Sequence, residues 1–259
     1  MRRFLPAWLQ AFVSIRPFPV ILAVGFLTIA VSAQSPDANP SFTRKNTLSV
    51  LAAYSNDSSH ILLGDADNRK LLDFGLGYNR RLFTDRIVNW QYSGELLPVA
   101  LESDPVVVNT VNWTSPTVFT ESASRIQTAP CVPSSGAFSS TLNGILYSYT
   151  YSFTCGRRWT IGEGISPVGF QWNFLPRQKM QPFITGHGGY IYSTQPIPIT
   201  SAGSFNFTFD LGAGIELYRS KTRSVRAEYR YHHISNHDTA PQNPGIDNGL
   251  FQVTYSFGG

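Results

Sequence analysis

The chain has 259 residues, of which 14% are charged and 14% aromatic, and its formal net charge is +4 at pH 7. Three of the 20 basic residues and none of the 16 acidic residues lie in the first 33 positions, which leaves 17 basic and 16 acidic side chains in the remainder. A nearly neutral chain without a Lys/Arg-rich block offers no electrostatic footprint for nucleic acid, so we predict no nucleic-acid partner.

Residues 1–33 have the pattern of a secretory signal peptide. Three arginines precede an apolar run over 20–31 that ends in small residues, and polar residues follow it. The run is too short for a membrane-spanning helix, which needs roughly 20 apolar residues. We predict cleavage after Ala33 and one β-barrel domain over 34–259, with an uncleaved anchor as the alternative.

Beyond this segment, apolar and polar residues alternate with the period of two that is typical of β-strands. In the clearest case, from Phe205 to Leu217, one face is apolar and the other carries polar or small residues, including Asp210 and Glu216. Eight segments follow this pattern, near 46–56, 68–80, 88–101, 157–173, 182–193, 204–218, 224–236 and 247–257. Because one face of these strands is apolar and the other charged, we predict an all-β fold, an eight-stranded antiparallel up-and-down transmembrane β-barrel with a polar interior.

The connections between these segments alternate in length. The short ones lie around 81–87, 174–181 and 219–223, and the longer ones around 57–67, 102–156, 194–203 and 237–246. Outer-membrane barrels have short periplasmic turns and longer extracellular loops. With both termini in the periplasm, the long connections are extracellular, and the Ser/Thr-rich segment 102–156 is predicted to be the longest external loop.

The two cysteines, Cys131 and Cys155, both lie in that predicted loop. An exported chain enters an oxidising compartment in which disulfides persist, so we predict that the two are paired and brace the loop. The alternative, a catalytic or metal-binding thiol, lacks a nearby cluster of ligand residues.

Candidate catalytic residues lie where the seventh strand ends and the eighth begins. His233 and Ser235 are two positions apart and therefore share a strand face, the one we assign to lipid. Asp247 begins the next strand on its lipid face. A serine needs a base to become nucleophilic, and the imidazole needs a carboxylate to orient it. Polar residues at a membrane interface are the structural alternative, so spacing alone leaves catalysis open.

At this point the residues resemble a known family. His233, Ser235 and Asn236 form a His-x-Ser-Asn motif, and an Asn-Pro-Gly turn follows at 243–245. Both features resemble the PagL family of lipid A 3-O-deacylases. The resemblance implies an eight-stranded outer-membrane barrel with its active site on the outer wall. It is specific over about 30 C-terminal residues.

The resemblance also implies a role for each site residue. His233 is expected to be the general base and Ser235 the nucleophile, while the acid that orients the histidine, usually Glu in the family, is Asp247 here. Asn236 and Asn243 correspond to the asparagines that stabilise the oxyanion. Backbone amides of the same loop, which contains Gly245, are expected to assist them. Acyl transfer by a triad needs no cofactor, so we expect none.

The sequence thus predicts a serine esterase that removes an ester-linked 3-hydroxyacyl chain from lipid A of lipopolysaccharide. Its active site would face the extracellular leaflet of the outer membrane, its other contacts would be outer-membrane lipid, and it would be a monomer or homodimer. Two alternatives stay open. One is a non-enzymatic barrel of the structural or adhesion type, and the other is a barrel phospholipase.

Two further patterns resemble functional signals. The run Gly186-His187-Gly188-Gly189 is similar to the oxyanion loop of soluble lipases, but it lies inside a predicted strand, so we interpret it as a glycine-rich barrel strand. His232, His233 and His237 could suggest a metal site, but the first two are adjacent and therefore point to opposite faces of a strand. Because this disfavours shared coordination, we predict no metal site.

Overall fold

The computed structural model describes residues 41–116, 118–129 and 131–259, so the predicted signal peptide over 1–33 lies outside the described residues. The described chain forms ten β-strands and no helix. A search of the same residues for a helix able to span a membrane finds none. The strands are β1 Asn46–Ser55, β2 Lys70–Thr84, β3 Val88–Ser115, β4 Val118–Thr128, β5 Ser134–Leu142, β6 Ile145–Phe174, β7 Met180–Ser193, β8 Phe205–Tyr218, β9 Arg223–Ser235 and β10 Ile246–Gly258.

Eight of the strands close into a barrel. The order β3-β2-β1-β10-β9-β8-β7-β6 is closed by pairing of β6 with β3, and every pairing is antiparallel. Closure satisfies the backbone hydrogen bonds of all eight strands in the barrel wall. The predicted eight-stranded up-and-down architecture is confirmed, and the predicted bounds of β1, β8, β9 and β10 agree with the structure to within about one residue.

The segment 102–156 is not the loop that we expected. β3 runs on to Ser115 and β6 begins at Ile145, and the two stay paired beyond the barrel, with β4 added to β3 and β5 to β6. We call the four-stranded sheet over residues 105–156 the β-extension. The prediction was wrong because its Ser/Thr content suggested a loop, whereas those residues alternate with valine and aromatic residues in a strand pattern.

The barrel is apolar outside and polar inside. Exposed apolar side chains cover the outer face of β1, β8 and β10: Leu48, Val50, Phe205, Phe207, Phe209, Leu211, Ile215, Leu217, Phe251, Val253, Tyr255 and Phe257. Buried polar side chains fill the interior: Asn79, Gln91, Gln171, Asn173, Gln181, Glu216, Arg226, Glu228 and Arg230. This arrangement is the inverse of a soluble barrel and is the one expected of a transmembrane barrel.

The connections have the predicted asymmetry. Short turns over 85–87, 175–179 and 219–222 lie at one end of the barrel, and longer loops over 56–69, 194–204 and 236–245 lie at the other. The β-extension projects from the long-loop end, since β3 enters the barrel from a short turn. Cys131 and Cys155 are joined by a disulfide with a Cα–Cα distance of 5.5 Å, which ties the segment before β5 to β6.

Candidate active site on the barrel wall

His233 and Asp247 form the centre of the candidate site. They are directly opposite each other in the antiparallel pairing of β9 and β10, so their side chains share one face of the sheet. His233 Nδ1 and Asp247 Oδ1 are 2.6 Å apart. The His233 side chain is 13% exposed and that of Asp247 is fully buried. The strand register that the sequence predicted therefore produces the expected imidazole–carboxylate pair.

Three further groups bind the carboxylate of Asp247. The backbone amides of Leu62 and Leu63 donate to Oδ2 at 2.7 and 2.8 Å, and the Tyr231 hydroxyl donates to Oδ1 at 2.9 Å. With His233, the carboxylate has four hydrogen-bond partners, which favour its ionised form and fix its orientation. None of these three groups was predicted from the sequence. Tyr231 lies two residues before His233 on the same strand face, a signal that could have found it.

The loop over 56–69 brings the two leucine amides to the site by folding over the start of β10. Ser59 N donates to Asp247 O at 3.2 Å, and Asp65 N donates to Pro244 O at 2.6 Å. The approach is so close that a Cβ at Gly64 would lie 2.6 Å from the Asp247 backbone nitrogen. A residue without a side chain is therefore required at this contact.

Ser235 lies beside this pair but is bonded elsewhere. Its hydroxyl donates to Asn243 Oδ1 at 3.1 Å and accepts from the His237 backbone amide at 3.2 Å. Within the described chain, no hydrogen bond joins the Ser235 hydroxyl to His233. The structure thus brings together the base and the acid of the predicted triad, and it places the predicted nucleophile on the same face without bonding it to the base.

The two asparagines predicted to stabilise the oxyanion differ in whether their side-chain amide is free to donate a hydrogen bond. The Asn236 side-chain amide donates to Ala202 O at 2.5 Å and Gln242 O at 2.7 Å, so both of its hydrogens are engaged and it braces two loops. The predicted oxyanion role of Asn236 would require one of these two hydrogen bonds to break. Asn243 accepts at Oδ1 from the Ser235 hydroxyl and from the Asn236 backbone amide, each at 3.1 Å, and its Nδ2 makes no hydrogen bond in the part of the chain that the structure describes.

Gly245 shapes the wall of the site. Its φ of +60° lies in the left-handed region that favours glycine. A Cβ there would lie 3.2 Å from His233 Cε1 and 3.3 Å from the Gly64 Cα. The backbone of the 236–245 loop consequently passes within contact distance of the imidazole ring. Gly245 O accepts from the Ala66 amide at 3.0 Å, which joins this loop to the 56–69 loop.

A second Ser–His–Asp set lies inside the barrel. His187 Nδ1 is 2.9 Å from Asp210 Oδ1, and His187 Nε2 is 2.9 Å from Ser93 Oγ. All three residues are buried. His187 is in β7, as expected of a glycine-rich barrel strand, and its ring packs against the backbone of Gly169. This set was not predicted from the sequence, because its members come from three strands that are far apart in the chain.

The neighbours of this interior set balance its charge. Glu95, His187 and Asp210 each place one potential metal ligand within 4.8 Å of the others. Arg230 donates to Glu95 at 2.7 and 2.8 Å and lies 3.6 Å from Asp210. The guanidinium thus supplies the positive charge that a cation would bring, and the cluster is explained as a paired polar network of the barrel interior.

The whole chain has structural relatives among outer-membrane proteins, all of them at low sequence identity. No curated protein sequence matches it. Among solved structures, Neisserial surface protein A is 10% identical, with 82% of this chain and 96% of that chain covered and a TM-score of 0.41. OprG from Pseudomonas aeruginosa is 9% identical, with 83% of this chain and 97% of that chain covered and a TM-score of 0.37. LpxR from Salmonella typhimurium is 7% identical, with 82% of this chain and 100% of that chain covered and a TM-score of 0.24.

These structural likenesses are too weak to transfer a function. The family model for lipid A 3-O-deacylase (PagL), by contrast, matches residues 112–256. The matched stretch is more than half of the chain, and it contains His233, Ser235 and Asp247 together with the loop between β9 and β10. The chain therefore belongs to the PagL family of lipid A 3-O-deacylases.

Proposed function

We propose that this protein is a serine esterase of the outer membrane that hydrolyses the ester-linked 3-hydroxyacyl chain of lipid A. The observation that carries the proposal is the His233–Asp247 pair, with a contact of 2.6 Å on the outer wall of the barrel, beside the hydroxyl of Ser235. Polar groups on the lipid side of a barrel wall are costly unless they serve a function. Membership of the PagL family supports lipid A as the substrate.

The surroundings of the pair suit a substrate with acyl chains. Across the β8–β9 pairing, His233 is opposite Phe209 and Ser235 is opposite Phe207. These two rings are 43% and 45% exposed on the outer wall. An acyl chain that lies along them would bring its ester to the polar end of the strands without leaving the lipid phase.

In the proposed reaction, the Ser235 hydroxyl leaves Asn243 Oδ1 by rotation about χ1 and donates to His233 Nε2, the ring nitrogen that Asp247 does not hold. Nε2 takes the proton as Oγ attacks the ester carbonyl carbon. Collapse of the tetrahedral intermediate breaks the bond to the sugar oxygen, which receives that proton from the imidazolium. Water then attacks the acyl-enzyme by the same route and releases a fatty acid.

Asn243 has two tasks in this mechanism. In the resting state its Oδ1 holds the Ser235 hydroxyl, and its Nδ2 is available to donate to the oxyanion of the tetrahedral intermediate. Asp247, fixed by the Leu62 and Leu63 amides and by Tyr231, keeps the imidazole in one tautomer and stabilises the imidazolium. Asn236 acts as a positioning residue through its two backbone contacts.

The test uses the full chain, purified in detergent, with lipid A and a glycerophospholipid as separate substrates. Mass spectrometry should detect release of one 3-hydroxyacyl chain from lipid A and no fatty acid from the phospholipid. A lipophilic fluorophosphonate should label the protein, and peptide mapping should find the label on Ser235. Release from the phospholipid alone would identify a barrel phospholipase, and no release from either lipid, with no label, would indicate a non-enzymatic barrel.

The proposed orientation places the site at the extracellular leaflet, since the site lies at the long-loop end of the barrel. A protease added to intact cells should cut the β-extension or the loops over 56–69 and 194–204. It should spare the turns over 175–179 and 219–222. Cleavage in those turns on sealed cells would place the active site on the periplasmic side.

A further inference from the structure

Three consecutive apolar side chains are exposed in the loop between β1 and β2. Ile61, Leu62 and Leu63 are 44%, 74% and 66% exposed, and we call them the leucine segment. They are the only large apolar residues of the loop over 56–69, which otherwise consists of polar residues, one glycine and one alanine. Because a run of exposed apolar side chains is unfavourable in water, the leucine segment indicates an apolar environment at this loop.

The leucine segment lies against the outer face of the barrel wall. The Asp247 side chain points outward, because it alternates along β10 with Asn248, whose buried side chain donates to Ser55 Oγ at 2.8 Å. The amides of Leu62 and Leu63 reach this outward carboxylate at 2.7 and 2.8 Å. The Asp247 side chain is nevertheless fully buried. The loop backbone therefore covers the carboxylate from outside the barrel.

Lipid-facing side chains border this position. On β8, the apolar outer face runs from Phe209, which is opposite His233, outward to Phe205, and these two rings are 43% and 41% exposed. On β10, Phe251 lies four residues from Asp247 toward the short-turn end, on the same face, and is 53% exposed. The hydrocarbon that surrounds these rings is thus the apolar environment nearest to the leucine segment.

The backbone of the leucine segment is tied to the candidate site. Ser59 N donates to Asp247 O at 3.2 Å before the segment, and Ala66 N donates to Gly245 O at 3.0 Å after it. Between these two contacts, the amides of the two leucines supply two of the four hydrogen bonds of the Asp247 carboxylate. A displacement of the segment would therefore remove half of the hydrogen bonds that hold this carboxylate.

We propose that the leucine segment inserts among the hydrocarbon chains of the leaflet around the site, and that this lipid contact fixes the two amides that position Asp247. The insertion rests on the exposure and location of the three side chains, whereas its effect on catalysis rests on the proposed function. In lipid the side chains extend away from the wall and the amides stay on the carboxylate. Leu62 and Leu63 are then positioning residues, which act on His233 through Asp247.

Insertion is measured on the full chain in vesicles of phosphatidylethanolamine and phosphatidylglycerol. Leu62→Cys is labelled with a small fluorophore, and Cys131 and Cys155 do not react because they form a disulfide. Phospholipids with a nitroxide on the acyl chain should quench this label as strongly as a label at Val253→Cys, on the lipid-facing wall. The matched control is Leu142→Cys, at a 59% exposed position at the end of β5 in the β-extension, which should not be quenched.

Positioning is measured by proton NMR of the protein in lipid nanodiscs, a readout that does not depend on hydrolysis. The proton of a short hydrogen bond between imidazole and carboxylate resonates at low field. The His233–Asp247 bond should give one such resonance, and the interior His187–Asp210 bond should give a second, which serves as an internal control. His233→Ala should lose the first resonance alone and thereby assign both.

The test variant Leu62→Ser/Leu63→Ser makes the leucine segment polar. It should shift or broaden the outer-wall resonance and leave the interior one unchanged. With lipid A in the nanodisc, kcat should fall about tenfold or more at a similar KM, because the carboxylate loses two charge-assisted hydrogen bonds. Leu62→Met/Leu63→Met keeps apolar side chains and should restore both the resonance and kcat. Leu142→Ser, which removes an exposed apolar side chain elsewhere, should change neither.

Three results would overturn the proposal. The first is a label at position 62 that nitroxide lipids do not quench. The second is a raised KM in Leu62→Ser/Leu63→Ser with an unchanged kcat and resonance, because the leucines would then bind substrate without positioning Asp247. The third is light scattering that shows a dimer which the same variant converts to monomers, because a second copy of the chain would then cover the leucines.

Failure of the proposed function would look different. A quenched label, together with an outer-wall resonance that depends on the leucines, in a protein that hydrolyses no lipid would uphold the lipid-dependent positioning of Asp247 and refute the esterase. Hydrolysis of lipid A by a protein whose label is not quenched would uphold the esterase and refute the insertion.

Discussion

The two Ser–His–Asp sets lie on opposite sides of the same barrel wall and differ in what surrounds them. In the interior set, His187 makes both hydrogen bonds of a triad, to Asp210 and to Ser93, each at 2.9 Å. On the outer wall, His233 is bonded to Asp247 at 2.6 Å, while Ser235 is bonded to Asn243. By hydrogen bonding alone, the interior set is the more complete triad.

The two sets also differ in whether a substrate can reach them, and here the outer-wall set is favoured. Ser93, His187 and Asp210 are each 3% exposed, and Arg230 with Glu95 fills the space beside them. The outer-wall set has apolar rings beside it that face lipid. Catalytic hydrogen bonds are often long or misaligned without substrate, so a missing contact weighs less than a missing path for the substrate. A triad is therefore recognised by its surroundings as well as by its internal distances.

The largest expected effect separates the two serines. Ser235→Ala should abolish lipid A hydrolysis, a loss on the order of 10⁶-fold in kcat for a soluble triad enzyme, because the covalent route disappears. Ser93→Ala makes the same chemical change inside the barrel and should leave kcat unchanged. Mass spectrometry of the lipid products measures both. Loss of hydrolysis in Ser93→Ala, with Ser235→Ala active, would assign catalysis to the interior set.

The two aspartates provide the next comparison. Asp247→Asn preserves size but favours the wrong imidazole tautomer, so kcat should fall by about 10⁴-fold. Asp247→Glu restores the acid that is usual in the family and should keep substantial activity. Asp210→Asn should keep full activity when assayed well below its unfolding temperature. Equal activity of Asp247→Asn and the unmodified protein would show that Asp247 does not orient His233.

The two histidine variants should differ in the stability of the barrel as well as in the rate of hydrolysis. His187→Ala leaves the Asp210 carboxylate and the Ser93 hydroxyl in the interior without a shared partner, and buried polar groups without partners cost about 1–3 kcal/mol each. The temperature at which the barrel loses its heat-modifiable gel mobility should drop. His233→Ala, at a partly exposed position, should leave that temperature nearly unchanged while hydrolysis is lost. If His187→Ala abolished hydrolysis and His233→Ala did not, catalysis would be assigned to the interior set.

The smallest effect is expected at Tyr231. Tyr231→Phe removes one of the four hydrogen bonds to the Asp247 carboxylate and leaves the ring in place. A single hydrogen bond contributes about 0.5–1.5 kcal/mol, so kcat should fall by roughly two- to tenfold. Tyr229→Phe, on the same face of β9 but not hydrogen-bonded to Asp247, is the matched control. A loss as large as that of Asp247→Asn would mean that Tyr231 acts on substrate directly.

Much of the barrel could be predicted from the sequence because a strand exposes its two faces in strict alternation. That period located the eight wall strands, and it placed His233 and Ser235 on one face. It failed at 102–156, where serines and threonines were interpreted as a loop. In this segment the serines and threonines alternate with valines and aromatic residues, on a sheet that has no hydrophobic core. The Ser/Thr content therefore indicated a loop, whereas the alternation indicated strands.

The outer-wall pair follows from sequence because neighbouring strands joined by one loop have a register that the hydrophobic pattern specifies, which sets Asp247 opposite His233. The remaining features come from contacts between segments far apart in the chain. The Leu62 and Leu63 amides reach Asp247 across more than 180 residues, and His187 joins Ser93 to Asp210 across the barrel interior. Periodicity carries no information about such distances, so only closure of the barrel and folding of its loops decided them.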